Sequence, residues 1–166
     1  MAVIRLDPNT PRAWALWPIL EDRMRVFCKE YAPDTPPDAL IQHCRRLFVE
    51  TPTVLGAWAL MTDEGEMIGH LVGWVDLYWG QPYLIVHQAH IDRGHALGVE
   101  RGVMEAALDD WAWSVNALYE AADSPLRVTT VRLMTEWPEA WIRYFHKKAQ
   151  RQLTVVSFPV GISTGR

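Results

Sequence analysis

At 166 residues and 19.0 kDa, 49% apolar and 22% charged, the chain has the make-up of one globular domain, 1–166, with a core of its own, and extended disorder is excluded. A formal net charge of −4 lacks the basic excess of a nucleic-acid-binding surface. No apolar run approaches the ~20 residues that span a bilayer, the N-terminus has no signal-peptide layout, and the only two cysteines, Cys28 and Cys44, are too few for a disulfide framework, so an intracellular, cytoplasmic location is expected.

Val3 to Leu6 reads as a short first strand, stopped by Asp7-Pro8-Asn9-Thr10-Pro11. A helix follows, in which Ala13, Trp17, Leu20, Met24, Phe27 and Tyr31 keep the alternating four- and three-residue steps of one apolar face. Pro18 either starts or kinks it. After the break at Pro33 to Pro37, a second helix carries Leu40, Cys44 and Leu47 on one side, which makes Cys44 a buried structural thiol rather than a nucleophile. The period then changes from helical to alternating. Gly56 to Met61, Met67 to Trp79 and Tyr83 to Ile91 are three strands joined by short turns, the arrangement of an antiparallel meander.

Next comes a Gly-bearing turn, Arg93-Gly94-His95-Ala96-Leu97-Gly98, and then the most regular helix of the chain, with Met104, Leu108, Trp111, Val115 and Leu118 on one stripe. A helix opening after such a turn presents unpaired backbone N–H groups and a partial positive charge, hence an anion site. Asp123-Ser124-Pro125 ends the helix. Val128 to Met134 is a further strand, Pro138 begins a short helix ending near Lys147-Lys148, Leu153 to Val160 is a last strand, and Gly161 to Arg166 is a tail. A helix joining two strands of one sheet implies a parallel crossover. The fold class is therefore α/β (α+β): a mixed sheet of about six to seven strands, flanked on both faces by about four helices.

This order resembles the GNAT superfamily of acyl-CoA N-acyltransferases. The family's turn between its fourth strand and third helix is Q/R-x-x-G-x-G/A, and here Arg93 fits the first position, Gly98 the last, and Ala96 stands in place of the central glycine. The resemblance implies that Ile91, Arg93, Gly94, His95, Ala96, Leu97 and Gly98 bind acetyl-CoA, with the turn's N–H groups on the coenzyme A pyrophosphate. The family's proton donor is a tyrosine within L-Y-x-K-x-G-F, similar to Tyr144-Phe145-His146-Lys147-Lys148-Ala149-Gln150. Aligned on Lys147 and Ala149 the tyrosine falls on Phe145; shifted by one residue it falls on Tyr144.

Amine acetylation also needs a base. On the strand before the turn, strict alternation puts Tyr83, Ile85, His87, Ala89 and Ile91 on one face and Leu84, Val86, Gln88, His90 and Asp92 on the other. His87 and His90 are the candidates, on opposite faces, a spacing poor for a shared zinc, so no metal is expected. His70 and Asp76 share a face of the preceding strand. Two readings stand. One is an acetyltransferase acting on a small-molecule or protein amine. The other is an inactive GNAT-fold module with protein neighbours or in a homo-oligomer, for instance in a virion, where some of the nine tryptophans, notably Trp79, Trp113 and Trp137, line a contact surface.

Overall fold

A computed structural model describes residues 2–95 and 102–133. Its elements are β1 (Ala2–Arg5), α1 (Pro11–Tyr31), α2 (Pro37–Glu50), β2 (Leu55–Met61), β3 (Met67–Tyr78), β4 (Gln81–Ile91), α3 (Val103–Ala121) and β5 (Val131–Leu133). The order matches the sequence expectation through the strand after the long helix. The helix expected from Pro138 and the strand from Leu153 to Val160 lie outside the described residues.

The five strands form one sheet in the order β1-β2-β3-β4-β5. β1 to β4 are antiparallel, as short hairpin links require, and β5 is parallel to β4 because α3 carries the chain back across the sheet. The β3–β4 link is a tight turn at Trp79 (φ 54°) and Gly80 (φ 73°), the paired left-handed geometry that matches strand twist, so Pro82 falls inside β4 rather than in the turn.

Helices cover both faces. α1 and α2 bury Trp17, Leu20, Met24, Ile41, Cys44 and Phe48 against Ala57, Ala59 and Val72. α3 buries Met104, Leu108, Trp111 and Val115 against Trp58, Leu60, Leu71, Leu84 and Val86 on the opposite face. Thr10 caps α1, its hydroxyl accepting from the Ala13 amide at 3.3 Å. α1 starts at Pro11, seven residues before Pro18, which sits inside the helix on an exposed position where its missing N–H removes one ladder bond. Leu118 is half exposed, although Tyr119 next to it still packs on the α3 core, and Phe27 and Tyr31 sit at the edge of the core rather than in it. Among the described tryptophans Trp17, Trp58 and Trp111 are core residues, whereas Trp79 (88% exposed) and Trp113 (74%) stand in solvent.

Cys44 is fully buried, and desolvation pushes its thiol up to about 12, consistent with a structural role.

Candidate functional site

The site begins with one extra residue. β3 and β4 pair Val72 with Gln88 but Gly73 with Val86, so His87 has no counterpart on β3 and β4 bulges there. Gly73 permits it: a Cβ at that position would overlap the Ile85 carbonyl oxygen and stand 2.8 Å from Val86 Cα. The bulge resets the alternation. Leu84 and Val86 pack into the α3 core, as do Ala89 and Ile91 beyond the bulge. His87 instead stacks on Trp74, with ring centroids 3.6 Å apart, and Trp74 packs on the α1–α2 core. His90 lies 5.8 Å from the Tyr31 ring and 6.4 Å from Phe27, both on α1. The opposite-face expectation for His87 and His90 is thus overturned: both look toward α1 and α2, because strict alternation fails at a bulge.

Gln88, His90 and Asp92 continue this polar row. The Gln88 amide donates to Cys28 Sγ (3.3 Å), and its oxygen lies 3.4 Å from His70 Nε2. Arg23 reaches from α1 to the end of β4, donating to both Asp92 oxygens (3.0 and 2.8 Å) and to the Met67 carbonyl. These bonds hold the Asp92 carboxyl below its usual range. His90 Nε2 lies 3.3 Å from Asp92 Oδ1, so Arg23, Asp92 and His90 form one chain. His70 is fully buried and burial drives it down to about 3; burial likewise lowers His87 to about 4. Both rings are neutral near pH 7. His87 Nε2 is buried with no hydrogen-bond partner among the described residues, the Asp76 carboxylate being 4.0 Å away. His70 and Asp76 share the α1–α2 face of β3, as expected.

Beside this row a groove of about 380 Å³ runs along α1, lined by Phe27, Glu30, Tyr31, His90 and Asp92 among others. Beyond β4, the Asp92 carbonyl accepts from the His95 amide (2.9 Å), closing a turn on which Arg93, Gly94 and His95 are all exposed. Among the described residues β5 pairs with β4 along Leu84–Val86.

No protein-family model matches the sequence, and no curated protein matches it. Solved structures do match. A probable acetyltransferase superposes with a TM-score of 0.56 at 8% identity, over 97% of this chain and 99% of its own. An aminoglycoside acetyltransferase from an uncultured soil metagenomic sample, in complex with sisomicin, gives 0.54 at 13% identity over 96% and 95%. AAC(6')-Iy in complex with the bisubstrate analog CoA-S-monomethyl-acetylneamine gives 0.54 at 12% identity over 95% and 97%. The fold is that of the GNAT acyltransferases.

Within the GNAT fold the sequence-expected residues divide into three groups. His87, His90 and Ile91 lie on β4, His87 and His90 toward α1 and α2 and Ile91 in the α3 core; Arg93, Gly94 and His95 follow at its end; Ala96, Leu97, Gly98, Tyr144 and Phe145 lie outside the described residues. Arg93 makes no ion pair among the described residues, and a Cβ on Gly94 would meet nothing within 4 Å, so the turn's surface is open. Among the described residues α3 runs from Val103, after Gly102 (φ 90°), with no side-chain cap on the amide groups of its first turn. Sequence reading passed over Arg23, Glu30 and Trp74. Arg23 meets Asp92 across 69 residues, a pairing that no local spacing encodes.

Proposed function

We propose that the protein is an N-acetyltransferase that moves an acetyl group from acetyl-CoA to an amine. The observation that carries this is the β4 bulge, which turns His87 and His90 toward the α1 side, one strand end away from the exposed Arg93-Gly94 turn. The acetyltransferase identity of the GNAT-fold neighbours supports it and weighs against an inactive assembly component. Arg93, Gly94, His95 and the residues through Gly98 would hold the diphosphate, with Ile91 beneath. Acetyl-CoA supplies an activated acetyl group and a thiol leaving group.

His90 is the proton acceptor in this reading. With Nε2–H donating to Asp92, its Nδ1 is free to take a proton from the incoming ammonium, and Asp92 stabilises the imidazolium that results. Arg23 keeps the carboxylate ionised and in register. His87, neutral, buried at Nε2 and stacked on Trp74, packs behind this row rather than in the groove. Tyr144 is the candidate donor to the leaving thiolate. Calorimetry with acetyl-CoA, followed by thiol release in the presence of a panel of amines, tests the reading; no heat at millimolar acetyl-CoA would sink it.

A further inference from the structure

We infer that the groove along α1 takes the acceptor as a protonated primary amine with an apolar body, an arylalkyl or alkyl amine rather than a polyhydroxylated one; this rests on the acetyl-transfer reading. Ile19, Val26, Phe27 and Glu30 recur at helical spacing on a second stripe of α1, beside the one that enters the core. Ile19 is 46% and Val26 54% exposed, apolar surface that no described element covers. From Ile19 to Glu30 the stripe is roughly 16 Å long at the helical rise, room for an extended small molecule.

The charges give the groove a direction. Arg23, the only cation among its described lining residues, is committed to Asp92, and Asp22 pairs with Arg25 at 3.1 Å. Glu30 makes no ion pair among the described residues, so the uncompensated charge is negative and sits next to Tyr31. Phe27, Tyr31 and His90 cluster at that same end, ring surfaces that attract an organic cation. The ammonium therefore docks by Glu30 and Tyr31, within reach of His90, and the body runs over Val26 toward Ile19. Nothing on Val26 or Ile19 can hydrogen-bond a hydroxylated ring, and burying hydroxyl groups there unpaired is costly.

The test is calorimetric titration of the full chain at pH 7 and low salt, without acetyl-CoA, using phenethylamine, 2-phenylethanol and sisomicin. Phenethylamine is expected to bind at least tenfold tighter than either of the others. Glu30→Gln should weaken it about three- to fivefold, the upper range for a solvent-exposed ion pair, and Val26→Asn about fivefold through lost apolar contact. Both sites are exposed, and both variants should keep the wild-type circular dichroism and acetyl-CoA affinity. Sisomicin binding as tightly as phenethylamine, or wild-type phenethylamine affinity in both variants, overturns the inference. Phenethylamine bound in the groove yet never acetylated refutes the transfer reading alone. Acetylation of other amines by a chain that ignores phenethylamine refutes the groove alone.

Discussion

Gly73→Ala is the sharpest test of how the site is built. The new methyl would overlap the Ile85 carbonyl oxygen and come within 2.9 Å of that residue's carbonyl carbon and 2.8 Å of Val86 Cα. All three are backbone atoms of β4, so no side chain can swing aside. Ordinary contact begins near 3.4 Å, and the shortfall must be met by pushing β4 away from β3 just where the bulge sits. Overpacking of this kind costs about 2–3 kcal/mol. For a domain of this size that is a fall in melting temperature of about 4–12 °C. Urea unfolding followed by far-UV circular dichroism measures it, with Gly94→Ala as the control, since its Cβ meets nothing and its stability change should stay within about 0.5 kcal/mol. Because the displaced segment carries His87, acetyl transfer should fall with stability. A Gly73→Ala loss no larger than that of Gly94→Ala would refute the close β3–β4 approach on which the site geometry depends.

Acid should loosen the protein early. His70 and His87 have folded pKa values near 3 and 4, below the ~6.5 of an unfolded histidine, so the unfolded state binds protons the native state refuses. Their stabilising effect is complete above pH 6.5 and is lost as pH falls toward 4 for His87 and toward 3 for His70, each contributing at most about 1.4 kcal/mol per pH unit. Urea titrations at pH 7, 6 and 5 measure the slope, and a His70 imidazole that titrates near 6.5 by NMR would contradict its burial. Asp92→Asn removes the carboxylate that Arg23 and His90 share; since Asp92 is partly exposed, the stability loss should be only about 1 kcal/mol. Activity should fall by about tenfold with a displaced pH profile, and an unchanged profile would remove Asp92 from His90's support. Arg93→Ala should raise the dissociation constant for acetyl-CoA about fivefold and reduce its salt dependence while leaving kcat alone; equal affinity at low salt would place the diphosphate elsewhere.

Element order was legible in the sequence because it is local. The four-three spacing of Ala13, Trp17, Leu20 and Met24 and the stripe from Met104 to Val115 each report a face that must be buried, and burial followed, whereas the first seven residues of β3 are buried on both faces. The mixed sheet followed from link lengths alone: two short turns make a meander, and a helical crossover makes a parallel pair. Alternation failed at His87. A bulge is a relation between two strands, and it exists here because Gly73 on β3 lets the backbone of β4 come close. Only the paired sheet could reveal it, and with it that His87 and His90 share a face. The same holds for Arg23, whose partner lies 69 residues away, and for the groove, which needs one side of α1 and the end of β4 together. Periodicity determined which faces are buried; the three-dimensional pairing of distant segments decided which polar groups meet.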